Sequence, residues 1–269
     1  MLIKYIILGI VQGVTEFLPI SSSGHLIIFE KFLNIPQDLT LDVTLHLATL
    51  IAIVLYYRLY IFNILIDLKK DSKILFKKKI SFNNLSQNTK IVFFILIASI
   101  PAVIFGALFS NFFESVRSVL VVAVMLIIVA LFMLYEQFKK TDNSDLKALD
   151  WKKALVIGFA QSVALIPGTS RSGATITIAS LLGIHKKDAA DFSFLLSIPV
   201  VFGAFLLKVM DIKEVSYFLN PNLIISFFFS LISGYLSIKF LISLLKKYGF
   251  FPFIIYRILL ATILLIVMI

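Results

Sequence analysis

The sequence predicts an all-α polytopic membrane protein, with six transmembrane helices and two re-entrant helix–loop–helix units in an inverted-topology repeat. Three observations carry this expectation: an extreme apolar composition, a series of long apolar runs, and two polar breaks related by a constant offset. The chain has 269 residues, of which 60% are hydrophobic and 15% charged. A soluble domain is about half apolar and about a quarter charged, so one core could not absorb the excess. Mean hydropathy is +1.02. Several runs reach about 18 residues or more, long enough to cross roughly 30 Å of hydrocarbon as a helix. They lack the period-two alternation of β-barrel strands.

The spans are expected near 39–59, 88–109, 116–138, 187–209, 221–246 and 250–269. Two other apolar segments are awkward. Residues 2–19 end in "EFLP" and 151–167 end in "LIP", and each runs into a Ser/Gly-rich break. Shorter apolar stretches follow, 24–34 and 172–184. A helix of about 11 residues rises about 16 Å, half a bilayer, so these pairs read as units that dip in and return. Irregular backbone at that depth is tolerated only where protein or a wet cavity covers it.

A shift of 149 residues places Gly9 on Gly158, Gln12 on Gln161, Ser21 on Ser170, Ser23 on Ser172 and Gly24 on Gly173. Further on, Asp42 falls on Asp191 and Thr44 on Ser193. The chain is thus expected to be one membrane domain, with repeats at about 1–138 and 151–269 joined by a cytoplasmic loop 139–150. Each repeat holds one re-entrant unit and three spans, an odd number, so the second starts from the opposite side. Seventeen Lys and Arg lie in or beside 58–90, 139–153, 185–187 and 246–247. Only Lys4, Lys31, Arg117, Lys208 and Lys213 lie on the other side. The excess marks the cytoplasmic face, which places both termini outside.

The net charge of +10 comes largely from these loop lysines, so no nucleic-acid partner is expected. With no cysteine there is no disulfide framework, thiolate nucleophile or cysteine metal site. The first apolar run flows into Gln12, Glu16 and the serines without a small-residue cleavage pattern, so no cleaved signal is expected.

The chemistry concentrates at the two breaks. Gln12 and Glu16 are four apart and share a helix face. Pro19 stops that helix, and Ser21, Ser22, Ser23, Gly24 and His25 follow. The second break offers Ser170, Arg171, Ser172, Gly173 and Thr175 after Pro167-Gly168. A Gly/Ser loop opening a helix aims N–H groups at its mouth and suits an anion. A guanidinium matches phosphate oxygens. Together they predict a phosphate or diphosphate site, with Glu16 binding a divalent cation or a proton and His25 acting as acid, base or nucleophile. Ser and Gly also serve close packing of membrane helices, and Glu16 with Arg171 could form a structural ion pair. A charge at bilayer depth is expensive, however, and two such charges at matching breaks favour a site. Asp42 and His46, four apart near the outer end of the first span, fit capping or interface solvation as well as function. His185 beside Lys186 and Lys187 reads as a solvated loop residue.

The stretches "QGVTEFLPISSSGHL" and "PGTSRSGATI" resemble the two motifs of the undecaprenyl-diphosphate phosphatase family, the bacitracin-resistance proteins of bacterial membranes. Similarity extends to "FSFLLSIPVVFGA" (192–204) and "FIIYRILLA" (253–261), nearly end to end. The resemblance implies an integral membrane phosphatase that removes the terminal phosphate of undecaprenyl diphosphate, recycles the lipid carrier for peptidoglycan synthesis and confers bacitracin resistance. It implies a divalent cation, magnesium or calcium. It assigns the acidic motif to Gln12 and Glu16, the serine–histidine positions to Ser21, Ser22 and His25, and the arginine motif to Ser170, Arg171, Ser172 and Thr175. Gln12 stands where the commoner form of the motif has a second carboxylate.

On this reading Glu16, Ser22, His25 and Arg171 are catalytic, with Glu16 as the metal ligand. Gln12, Ser21, Ser170, Ser172, Gly173 and Thr175 bind substrate. The nucleophile is His25, Ser22 or water, with a Ser22–His25 pair preferred. The partners are a polyprenyl diphosphate lipid and the surrounding membrane, and a homodimer is an admissible assembly. The expected location is the bacterial inner membrane, with the site open to its outer face. A lipid flippase is the rival, because inverted repeats with broken helices are the habit of secondary transporters. A scaffold of cell-wall synthesis is a weaker third, since it needs neither charge at the breaks.

Overall fold

The computed structural model describes residues 2–36, 38–75, 82–139, 144–210 and 220–268. Among these the chain is helical, with a single isolated bridge between Ser144 and Ile184 and no strand. Lys77, Lys78 and Lys79, which are among the loop lysines, Lys213, and residues 140–143 of the expected 139–150 linker lie outside the described residues.

Helices α1 (Leu2–Phe17) and α2 (Ser22–Leu33) flank the first break, and α8 (Trp151–Val163) and α9 (Arg171–Leu181) flank the second. At 12 and 11 residues, α2 and α9 rise only about 18 and 16 Å, as the re-entrant reading requires. The other long helices are α3 (Leu39–Tyr56), α5 (Gln87–Leu108), α7 (Val119–Phe138), α10 (Lys186–Met210), α11 (Pro221–Tyr248) and α12 (Phe251–Met268). They occupy the six positions read as spans. Four of them, α5, α7, α10 and α11, are long and apolar enough to cross a membrane by themselves. α3 and α12 have 18 residues each, a rise of about 27 Å, near the roughly 30 Å of a hydrocarbon core. A short α6 (Ser110–Ser115) joins α5 to α7.

One expectation needs correcting. The stretch 58–90, read as a loop, begins with a helix, α4 (Arg58–Leu75), bent by 72° from α3. Its lysines suggested a loop, but Leu59, Phe62 and Leu65 recur at helical spacing and are exposed, while Ile64 packs inward. That mixture suits a helix lying across the end of a bundle rather than through it.

Start signals are explicit. Ser86, Ser118 and Asp150 cap α5, α7 and α8 by accepting the N–H groups of Thr89, Val121 and Lys153. Asn220 caps α11, with Pro221 in its first turn. Close packing is built from small residues. A Cβ at Gly9 or Gly13 would collide with the carbonyls of Ser226 and Ser230, so α1 lies directly on α11. A Cβ at Gly158 would meet the backbone of Ala98, which seats α8 on α5 in the same way. Large apolar side chains such as Leu96, Leu131, Phe240 and Leu259 face outward, as lipid-facing surfaces require.

Candidate active site

The two breaks share one local geometry. Ser21 has φ 77° and ψ 97°, and Ser170 has φ 72° and ψ 110°. Such positive-φ conformations cost a non-glycine residue about 1–3 kcal/mol and persist where the surroundings enforce them. Ser21 Oγ accepts the N–H of Gly24 at 3.3 Å, and Ser170 Oγ accepts that of Gly173 at 3.1 Å. Each is therefore the N-cap of the helix that follows, and each also contacts the hydroxyl two residues on, Ser23 or Ser172.

The breaks touch. Ser172 Oγ donates to the carbonyl of Leu18 at 3.3 Å, and the N–H of Gly168 reaches Ser23 Oγ at 3.4 Å. This contact brings α9 to the end of α1, and Glu16 becomes a hub. Its Oε1 lies 3.1 Å from a terminal nitrogen of Arg171. Its Oε2 accepts Ser22 Oγ at 2.7 Å and Gln12 Nε2 at 3.1 Å. His46 Nε2 stands 4.0 Å from the same oxygen. Arg171 also donates to the carbonyl of Ser193 at 3.1 Å. Two of its five N–H donors are thus engaged, leaving three without a protein partner among the described residues.

Glu16 and Arg171 are 8% and 14% exposed. A pair so nearly dry is strongly coupled, because low dielectric raises the interaction well above its value in water. The N–H groups of Arg171 and Ser172, at the first turn of α9, have no intrahelical partner and add positive potential beside the guanidinium.

The structure brings together Gln12, Glu16, Ser22 and Arg171, and it separates His25 from them. His25 Nδ1 donates to the carbonyl of Ser21 at 2.6 Å, since a carbonyl can only accept. That leaves Nε2 to accept the hydroxyl of Tyr256, also at 2.6 Å, and the two rings stack with 14° between their planes. The expected Ser22–His25 pair is therefore absent: Ser22 turns towards α1, whereas His25 turns towards α12.

Several residues expected to bind substrate have their polar atoms engaged within the protein. Ser21 and Ser170 cap, and Ser172 bridges the breaks. Thr175 Oγ1 bonds Arg171 O at 2.8 Å and Ser193 Oγ at 2.6 Å. Gly173 offers its N–H to Ser170 and admits Met133 and the Ser170 side chain against its Cα. These five hold Arg171 in place. Asp42 pairs with Arg117 at 3.7 Å, and Asp191 accepts Tyr57 and Lys187, so both aspartates are tied into ion pairs.

Arg257 and Tyr256 were not among the residues expected at the site, and His46, whose spacing from Asp42 fitted capping or interface solvation as well as function, stands beside Glu16. Arg257 is completely buried and bonds carbonyls alone: Leu126, Pro19, Met125, Gly168 and Thr169, at 3.0–3.2 Å. Pro19 belongs to the first break and Gly168 and Thr169 to the second, so one side chain pins both to α7. No carboxylate pairs with it among the described residues. The signal was present in the sequence, as a lone charge inside the apolar helix "FIIYRILLA".

The chain is 42% identical over 264 residues to the undecaprenyl-diphosphatase of Alcanivorax borkumensis, covering 97% of this chain and 96% of that one. It is 42% identical over 266 residues to that of Elusimicrobium minutum, covering 98% and 97%. It is 39% identical over 259 residues to that of Geotalea daltonii, covering 94% and 93%. The family of bacitracin resistance protein BacA matches residues 5–263, a span that includes both breaks and Arg257. Matched almost end to end, the chain belongs to the bacitracin resistance protein BacA family.

Proposed function

We propose that the protein hydrolyses undecaprenyl diphosphate to undecaprenyl phosphate and inorganic phosphate, and so confers bacitracin resistance. The observation that carries this reading is the meeting of Glu16, Ser22 and Arg171 across the two breaks. The relatives' name, undecaprenyl-diphosphatase, points the same way. The spare donors of Arg171 hold the terminal phosphate and stabilise charge that develops on its equatorial oxygens. Ser22 Oγ, already bonded to Glu16, gives its proton to that carboxylate as the oxygen attacks phosphorus. The phosphoanhydride P–O bond breaks, and its electron pair leaves on the bridging oxygen with the lipid monophosphate. Glu16 passes that proton to the departing lipid monophosphate and is again a free carboxylate. Water then attacks the phosphorus on Ser22: Glu16 takes a proton from the water and returns it to Ser22 Oγ as the Ser22 O–P bond breaks and inorganic phosphate leaves. Water held in place of the Ser22 hydroxyl would attack by the same logic in one step.

The donor set fits a hard cation shared with substrate, and it does not form an all-protein cage. Gln12 Oε1 is buried without a partner, and Glu16 is the one carboxylate beside it. Among the described residues no cluster of three or more His, Asp or Glu could hold a metal. Magnesium commonly takes one or two protein oxygens and completes its shell with water and phosphate. Gln12 and Glu16 would hold the cation, which supplies charge neutralisation to the diphosphate oxygens. The excess of Lys and Arg at one end supports a bacterial inner-membrane protein with both termini outside and a site reached from the outer face.

Release of inorganic phosphate from undecaprenyl diphosphate by the purified protein tests the proposal. A folded wild-type protein that releases none would refute hydrolysis and return the molecule to the lipid-flippase reading.

A further inference from the structure

A polar cavity of about 540 Å³ opens at the lysine-rich end of the bundle, away from the site just described. Five lysines line it, with Glu136 as the one carboxylate. They come from three separate elements: Lys139 just beyond the end of α7, Lys186 and Lys187 in the first turn of α10, and Lys246 and Lys247 in the last turn of α11. The volume lies within the range of about 300–1,000 Å³ that small-molecule sites occupy.

The walls are fixed before any ligand arrives. Gln137 Oε1 accepts both Lys186 Nζ at 3.0 Å and the N–H of Phe250 at 3.1 Å, which ties α7 to α10 and to the tight turn between α11 and α12. At that turn Gly249 has φ 61°, and any Cβ there would lie 2.5 Å from Gln137 Oε1. Glu136 is buried, bonded by Ser180 Oγ and paired with Lys186 at 3.0 Å.

The charges do not cancel. Glu136 answers Lys186, and Asp191 answers Lys187 at 2.9 Å. Lys139, Lys246 and Lys247 have no carboxylate partner among the described residues. Lys139 reaches only the carbonyl of Leu181 at 3.3 Å, and Lys247 lies 4.9 Å over the ring of Tyr248. Topology requires lysines on this side of a membrane, and the end of α11 favours cations. Neither requirement calls for lysines from three elements to converge on one walled cavity. Uncompensated ammonium groups there match the dianionic charge and multiple oxygens of a phosphomonoester.

We propose that this cavity is a second phosphate site, distinct from the one at the breaks, which takes a phosphomonoester group either as a lipid headgroup or as free phosphate. The proposal stands whether or not the protein hydrolyses undecaprenyl diphosphate.

The test compares wild-type protein with Lys246→Gln/Lys247→Gln, Lys246→Arg/Lys247→Arg and Lys139→Gln. Each is reconstituted with phosphatidylcholine, with and without a minor fraction of phosphatidic acid, and retained lipid is read by native mass spectrometry. Equilibrium dialysis against inorganic phosphate runs in parallel. The double Gln variant should bind phosphatidic acid, phosphate or both roughly twentyfold more weakly, and the double Arg variant should match wild type. Loss confined to phosphatidic acid identifies a lipid headgroup as the source, and loss confined to phosphate identifies the free ion. Phosphate release from undecaprenyl diphosphate should be unchanged, which marks the two sites as separate. Equal retention of both probes by wild type and the Gln variants overturns the proposal and leaves the lysines as orientation signals. Should the double Gln protein fail to fold, Lys139→Gln and the salt dependence of wild-type binding decide. Binding insensitive to both overturns it equally.

Discussion

The guanidinium of Arg171 lies 3.1 Å from Oε1 of Glu16, across 155 positions of sequence. Neither residue is placed by its own helix alone, since Ser172 on Leu18 brings the two ends together. The pair is therefore a direct reading of whether the breaks have docked.

Arg171→Lys keeps the charge and loses the planar fork. One ammonium cannot bond Glu16, the carbonyl of Ser193 and a phosphate in the directions the guanidinium serves. Phosphate release in detergent should fall roughly 10²–10³-fold in kcat, the scale of losing one donor aimed at developing charge. Wild-type kcat in Arg171→Lys would remove the clamp role.

Ser22 and His25 separate by geometry, and so should their variants. Ser22→Ala removes the hydroxyl bonded to Glu16 and should lower kcat by about 10²–10⁴-fold. Tyr256→Phe removes one partner of His25 and should cost no more than about tenfold, the scale of one neutral hydrogen bond. Quenched turnover followed by mass spectrometry should find phosphate on Ser22. An adduct on His25 would mean that the ring leaves Tyr256 during the reaction.

Glu16→Gln leaves an amide opposite Arg171 and weakens the acceptor for Ser22. Activity should fall, and titration with magnesium or calcium should require higher concentrations for the same fractional rate. An unchanged cation titration would exclude Glu16 as a ligand and leave it as the base alone.

Arg257→Met is close to isosteric along its stem and strands five carbonyl bonds. The carbonyls of Met125 and Leu126 keep their bonds within α7, but those of Pro19, Gly168 and Thr169 lose this donor at about 1–3 kcal/mol each, so the thermal midpoint in detergent should drop sharply, with Arg257→Lys in between. A Met variant as stable as wild type would show that the breaks hold without the pin.

Gly13→Leu should prevent a monodisperse product on size-exclusion chromatography, because even a Cβ there would collide with the Ser233 hydroxyl and the Ser230 carbonyl. Gly203→Ala meets nothing within 4 Å and should keep or raise stability, by up to about 1 kcal/mol from helix propensity. The contrast separates backbone approach from mere helix composition.

Much of the architecture was legible because hydrocarbon imposes length and polarity on every span. The offset that set Ser21 on Ser170 located two turns with nearly equal φ, and the placing of Glu16 and Arg171 at the breaks anticipated their contact. Helix α4 was missed because its lysines and aspartates mask an apolar stripe, and only its packing reveals the bend. The direction in which a side chain leaves its helix was beyond reach. Ser22 and His25 are three apart, and only the neighbours on α1 and α12 decide that one faces Glu16 and the other Tyr256. His46 was visible only as one of several polar groups on α3, and Arg257 only as a lone charge on α12; neither position in sequence tells that one stands by Glu16 and the other bonds the carbonyls of both breaks.

Arg257 sits on α12, which follows both breaks in sequence. During synthesis both breaks enter the membrane before that helix exists, with the carbonyls of Pro19, Gly168 and Thr169 still waiting for their donor. The centre is thus finished only once α12 has joined the bundle. A chain cut short before α12 would carry every residue of the Glu16 hub and still lack the order that aligns them.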